Sequence, residues 1–324
     1  MEMALSSAPL PETEYRWIGT EPVRPDGVEK VTGQAKYGAD LALPNMLWGE
    51  ILRSPHAHAR IREIDVSEAL KLPGVKAVIK GADLPDHPWD YVGPSRIELN
   101  YAHMIRGIIA REKALFEGHA VAAVAATSPA IAQRAAKLIR VDYEVLPHVI
   151  DAREAARPDA PLLYDNMVTR GEGPAPKIHS NIAKQYQLSF GDIDQGFSEA
   201  DVVVEHEFTT KPVHQGYIEP NACVAHYNAD GQSEIWCSSQ GHFRIRQLTA
   251  KLLDIRTADL RVTPAEIGGG FGGKTVVYLE PIALVLSKIS GRPVKMVMKR
   301  DEVFKATGPA AGSHLHVRIG AKRD

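Results

Sequence analysis

From Gly268 to Thr275 the chain reads GGGFGGKT: five glycines in six residues, then a cation and a hydroxyl. Consecutive N–H groups without Cβ atoms let backbone come within hydrogen-bond distance of an anionic or oxo-bearing group. Phe271, the one bulky residue among them, is suited to wall one side of an aromatic-substrate pocket. A tight turn between strand and helix needs one or two glycines, so the excess points to function. Two nucleotide motifs overlap the run. Gly268, Gly273, Lys274 and Thr275 match the P-loop pattern G-x-x-x-x-G-K-[ST], and Gly268, Gly270 and Gly273 match the dinucleotide pattern G-x-G-x-x-G.

Context disfavours both. A P-loop opens its domain directly after a strand and precedes a second strand ending in a magnesium-binding Asp. Here 49 residues follow Thr275, and the one downstream candidate, Val294 to Asp301, passes through Lys299 and Arg300. Pro281 falls in what would be the second turn of the following helix, where proline costs about 3 kcal/mol. The dinucleotide reading lacks its later acidic residue and its paired βαβ half. A P-loop NTPase acting through Gly268 to Thr275 is carried as the alternative.

The remaining reactive residues read as structural. His56 and His58, like His314 and His316, are spaced for one face of a strand and have no nearby third ligand. Glu117-Gly118-His119 stands directly before an apolar run and reads as a turn. Cys223 and Cys237 are the only cysteines, too few for the four thiolates of a [2Fe-2S] cluster, and read as core thiols. Lys and Arg total 38 against 40 Asp and Glu, so no global field favours a polyanion. The first fifteen residues lack the basic start and apolar stretch of a secretory signal, and no run approaches the roughly 18 apolar residues of a membrane helix. The chain is expected to be soluble and cytoplasmic, with export through a partner's signal left open.

The elements that must position the loop follow from periodicity. In a chain of 324 residues with 44% hydrophobic composition, two domains are expected. Strands are predicted at Leu47 to Leu52, Ile61 to Val66, Val75 to Lys80 and Ala120 to Ala126, the last an apolar run of the kind buried on both faces. Ser128-Pro129 then starts a helix, and Val141 to Val149 returns to strand. Residues 151 to 181, with four prolines and two glycines, read as a connection between domains. Beyond it, strands are predicted from Val202, at Cys223 to Tyr227, Ser233 to Trp236, Leu260 to Thr263 and Val294 to Met298, with His314 onward as a last strand. The alternation after Val202 suits a half-exposed sheet. Helices are predicted over Ile245 to Ile255 and Glu280 to Ile289, the second closed by Gly291.

GGGFGGK lies 31 positions beyond a glutamine in the context WCSSQ, counting Gln240 to Phe271. With DGVEKVTGQAKYGAD, LRSPHAHARI, LPGVKAVI, IEPNACVA and GRPVKMVMKRDE, this resembles the molybdopterin-binding large subunit of the xanthine oxidase family of molybdenum hydroxylases, from about residue 20 to the end. The resemblance implies an α+β architecture: an arm over 1–20, an α/β hammerhead-like domain over 21–150, a linker over 151–181, and the first part of a mixed α/β molybdopterin-binding domain over 182–324. It implies that Gln240 donates a hydrogen bond to a ligand of molybdenum and that Phe271 and Gly272 lie beside metal and substrate. Gly269, Gly270 and Gly272 would let backbone approach the cofactor, and Glu219 would border the active-site channel. No residue of the chain would bind the metal directly, since the pterin holds it.

The family activity is hydroxylation of a C–H bond with water-derived oxygen, the electrons leaving through iron–sulfur clusters and FAD, which the resemblance puts on partner subunits. Purine-oxidising members carry Glu immediately after GGGFGGK, where this chain has Thr275. Xanthine is therefore a poor substrate expectation; aldehydes, carbon monoxide, aromatic N-heterocycles and thioester-linked aromatics remain. Family large subunits are longer, and the catalytic Glu and most pterin contacts lie in the portion beyond Asp324. The chain is accordingly expected to need that second half as a partner, as a split subunit, or to be an incomplete non-catalytic fragment, and not to complete the reaction alone.

Overall fold

The computed structural model describes residues 15–90, 92, 99–171 and 178–323; residues 1–14 of the expected arm lie outside them. The chain divides into two compact units, one ending at Ala35 and one from Lys36 onward. In the first, a short helix over Gly27–Thr32 ends at Gly33, whose φ of 75° returns its N–H to Glu29 O.

The second unit is built on a seven-stranded sheet. Its strands are β1 Leu47–Arg53, β3 Val75–Lys80, β5 Ala120–Ala126, β8 Ala222–Tyr227, β9 Ser233–Cys237, β10 Leu260–Pro264 and β11 Val294–Val297, in the order β10-β9-β8-β11-β1-β5-β3. A three-stranded sheet joins β2 Ala59–Asp65, β4 Lys113–Ala114 and β6 Arg140–Val145, and β7 Val202–Thr210 pairs with β12 Ser313–Ala321. β6 stops short of the expected Val149 because Pro147 cannot donate to a ladder.

β5 is buried at every position. Ala122 and Val124 face a core under the helix Pro129–Leu138, while Ala123 and Ala125 face the larger core under the helix Glu280–Ser290. That two-sided burial is why its sequence is an unbroken apolar run. Ser128 caps the first helix by accepting the Ile131 N–H at 3.3 Å, and Gly291 closes the second with φ 65°.

Strands from both sides of the 151–181 connection enter the same sheet: β1 lies parallel to β11, Leu47 opposite Val294 and Trp48 opposite Lys295. Within that connection Asn181 holds the chain by donating to Ala155 O at 3.1 Å and Pro161 O at 2.9 Å.

The β7–β12 ribbon differs from the half-exposed sheet expected there. Residues along β7 are exposed on both faces, because the strand pairs with β12 alone. Val202, Val204 and Phe208 share one face with Leu315 and Ile319, and Glu205 on the other accepts from His316 at 2.6 Å. Among the described residues no helix is long and apolar enough to cross a membrane.

His119 closes a turn, as expected, its N–H donating to Phe116 O at 3.2 Å after Gly118 with its φ of 92°, and it stands fully buried directly before β5. Its ring stacks on Phe116 at 4.5 Å, and Nδ1 accepts the Leu115 N–H at 3.1 Å. Burial pushes its pKa down from 6.5 to about 4. Below pH 6.5 the unfolded chain takes up a proton that the native ring does not, so stability present at neutral pH is lost between 6.5 and about 4. The loss amounts to about 3 kcal/mol and levels off below the native value. Denaturant unfolding at pH 7 and pH 4 should therefore show His119→Gln losing about 3 kcal/mol less than the parent over that window, and equal losses would refute the neutral buried ring.

Candidate functional site

β9 and β10 run parallel, joined by the helix His242–Leu252, so their carboxyl ends open at the same edge of the sheet. In such sheets ligands bind beyond the carboxyl ends of strands. β9 delivers Ser238, Ser239 and Gln240 there, and β10 delivers the glycine loop. The sequence separation between Gln240 and Phe271 is the length of this crossover.

The loop's shape comes from internal hydrogen bonds. Gly273 N–H donates to Gly270 O at 2.7 Å, closing a turn whose central residues, Phe271 and Gly272, have φ of 48° and 91°. Positive φ at a bulky side chain is a strained conformation that surrounding contacts must hold. Phe271 keeps its ring 73% exposed, and Thr275 Oγ1 donates to Gly272 O at 3.0 Å.

Gln240 is tied to the loop at three points. Its N–H donates to Lys274 O at 3.0 Å, while Oε1 accepts the N–H groups of Gly272 at 2.9 Å and Lys274 at 3.2 Å. Both partners of the side-chain oxygen are donors, so the atom facing them is the oxygen and the NH2 end points away. Among the described residues Nε2 has no hydrogen-bond partner, and neither have the N–H groups of Gly269, Gly270 and Phe271. A Cβ on Gly270 would lie 2.5 Å from Gln240 Oε1, so only glycine leaves the amide in place. A Cβ on Gly269 would lie 3.1 Å from Phe271 Cε2 and 3.2 Å from Tyr217 Cβ.

Lys274 and Glu219 are both buried. Nζ donates to Glu219 Oε2 at 2.6 Å, and the carboxylate also accepts the N–H groups of Gly268 at 2.8 Å and Gly38 at 3.1 Å. Burial pulls Lys274 below the ordinary lysine value, with Glu219 opposing the shift. Glu219, expected beside a channel, thus has both oxygens occupied at 9% exposure.

These contacts overturn the P-loop alternative. Lys274 is 1% exposed and neutralised, so it cannot reach a phosphate. The N–H groups of Gly268, Gly272, Gly273 and Lys274 are taken within the protein, and the next helix begins only at Glu280, leaving no helix N-terminus at the loop.

Gln240, Gly269, Gly270, Phe271 and Gly272 therefore come together, with Glu219 beneath them. Sequence reasoning missed the pairing of Lys274 with Glu219 and the buried Tyr217, whose ring lies 5.0 Å from Lys274 Nζ. Two opposite charges in weakly polar segments were the available signal, and nothing local said that they meet.

The donor set suits an oxo-bearing cofactor. The loop offers three successive N–H groups without partners and one free amide NH2, and the buried Gln215 Oε1, near Gly273, is likewise unpaired among the described residues. A mixed set of neutral donors and acceptors matches a group carrying oxygen and pterin nitrogen atoms better than a bare phosphate.

A family model described as the aldehyde oxidase and xanthine dehydrogenase a/b hammerhead domain matches residues 32–147, and one described as the molybdopterin cofactor-binding domain matches residues 175–324. The carbon monoxide dehydrogenase large chain of Afipia carboxidovorans is 34% identical over 314 residues, which cover 95% of this chain and 38% of that one. The nicotinate dehydrogenase large molybdopterin subunit of Eubacterium barkeri is 30% identical over 317 residues, covering 96% of this chain and 68% of that one. The solved structure of reconstituted CO dehydrogenase from Oligotropha carboxidovorans superposes with a TM-score of 0.79 at 33% identity, over 94% of this chain and 38% of that one. The chain thus spans 38% of the length of one of these relatives and 68% of another. Identity of 30% sustained through 68% of a molybdopterin subunit goes beyond a shared fold, and this chain accordingly belongs to the xanthine oxidase family, in its molybdopterin-binding subunit.

Proposed function

We propose that the chain forms one wall of a molybdenum hydroxylase centre, oxidising a C–H bond of a small molecule with water-derived oxygen. The observation that carries this reading is the orientation of Gln240: two loop N–H groups hold its oxygen, leaving the NH2 free beside bare glycine backbone. Bound there, the molybdenum cofactor would supply the redox chemistry, and the protein supplies orientation and electrostatics.

Gln240 would donate from Nε2 toward a cofactor oxygen or sulfur without adding charge beside the metal. Gly269, Gly270 and the Phe271 N–H would hold the same group from the loop. Phe271 presents an exposed ring that orients a planar or carbonyl substrate and excludes water from one side. Thr275 turns its hydroxyl back onto Gly272 O, so no acid projects from this position toward a purine ring. An aldehyde or aromatic N-heterocycle is the substrate class we assign, consistent with a relative named for nicotinate. Electron exit falls to [2Fe-2S] and FAD on partner subunits, with the remaining part of the molybdopterin subunit as a further partner.

The test is native purification from the source cells, with elemental analysis and identification of co-purifying chains. Stoichiometric molybdenum and an iron-bearing partner are expected, without magnesium-dependent ATP binding. A metal-free chain without partners would overturn the proposal.

A further inference from the structure

Glu219 and Lys274 stand 55 positions apart and meet directly beneath the loop. The carboxylate accepts three hydrogen bonds: Gly38 N–H on Oε1, and Gly268 N–H and Lys274 Nζ, from the two ends of the loop, on Oε2, at 3.1, 2.8 and 2.6 Å. Nζ also reaches Ser238 Oγ at 3.4 Å, on the stretch that leads from β9 to Gln240. Both ends of the loop are therefore fastened to one carboxylate, with Gly269 to Gly273 between the two tethers. The backbone of Lys274 in turn holds Gln240, donating to Oε1 and accepting from its N–H. Where Lys274 sits decides where Gln240 points.

Such a pair is a poor source of net stability. Removing two charges from water offsets most of their attraction, and an apolar pair of similar volume is often equally stable. An apolar pair cannot, however, accept two backbone N–H groups and fasten a lysine. We propose that Glu219 and Lys274 form a positioning pair that clamps both ends of the Gly268–Lys274 loop and so sets the direction in which Gln240 presents its amide. The proposal rests on the reading of Gln240 given above, but the clamp is tested without any cofactor.

Deuterium uptake across residues 266–277 is to be followed in the full chain for the parent, Lys274→Met, Glu219→Gln and the double variant. In each variant the hydrogen-bonded N–H groups of this segment, those of Gly268, Gly272, Gly273 and Lys274, should exchange about tenfold faster, as loss of one hydrogen bond per tether implies. The single variants should also lower the thermal midpoint, because one buried charge is left unpaired. In the double variant the midpoint should recover while the fast exchange persists. A merely structural ion pair would move both readouts together, so joint recovery, joint loss, or parent-like exchange in every variant overturns the clamp. If the single variants do not fold, the double variant against the parent decides alone. Fast exchange with undiminished kcat in the assembled complex would leave the clamp standing and overturn the role given to Gln240.

Discussion

Gln240→Glu is expected to cost the assembled enzyme about a hundredfold or more in kcat while leaving the loop unmoved. Glutamate has the shape of glutamine and keeps an oxygen toward the N–H groups of Gly272 and Lys274, which now sit at 2.9 and 3.2 Å from Oε1. Accepting two N–H groups also keeps the new carboxylate ionised. What the substitution removes is the NH2 that among the described residues has no partner. Loss of one donor aimed at charge developing in a transition state typically costs two to three decades, about 2.7–4 kcal/mol. Steady-state kcat, measured on preparations matched for molybdenum content, separates this from loss of cofactor. Parent-like turnover would show that Gln240 braces the loop and does nothing for the reaction.

Gly270→Ala reaches the same loss from the other side of the contact. Its Cβ would lie 2.5 Å from Gln240 Oε1 and 2.7 Å from Cδ, so the amide must swing away. The obstacle is the end of a flexible side chain, and φ at Gly270 is not in the left-handed region, so the fold should tolerate the change. The expected result is a kcat reduced about a hundredfold with a thermal midpoint close to the parent's. Because both substitutions act through one amide, the double variant Gly270→Ala/Gln240→Glu should fall no further than the lower single one. Full multiplication of the two losses would mean that Gly270 serves the site independently of Gln240, through its own backbone approach.

Local patterns carried much of the fold. β5 was legible because both its faces are apolar, and the helix Pro129–Leu138 because a serine cap and a first-turn proline are adjacent in sequence. Gly291 was legible as a terminator because the left-handed conformation favours glycine. The helix Tyr101–Ile108 was not anticipated: its histidine, glycine and buried Arg106 break the apolar pattern, and Arg106 is accommodated by Glu112 and Asp86 at 3.1 and 2.9 Å. The helix Arg300–Ala306 was not anticipated either, since Lys299 to Glu302 gives no apolar stripe; its capping contact, Lys299 N–H to Glu302 at 2.7 Å, became visible only in three dimensions.

The sequence by itself determined the family, the strands and helices with local start and stop signals, and the residues that could face a cofactor: Gln240, Gly269, Gly270, Phe271 and Gly272. The strands and helices follow from residue type and spacing in short stretches, whereas the cofactor-facing residues are what the family resemblance of those motifs implies. Tertiary structure alone decided that β1 pairs with β11 across the connection, that the β7–β12 ribbon stays exposed on both faces, and that Lys274 is an anchor and not a phosphate ligand. Those outcomes depend on which partner a strand edge or a buried charge finds far along the chain. A lysine after a glycine run has the same local sequence whether it meets a phosphate or Glu219, and only the packing of Tyr217 and the IEPNACVA stretch under the loop selects the second.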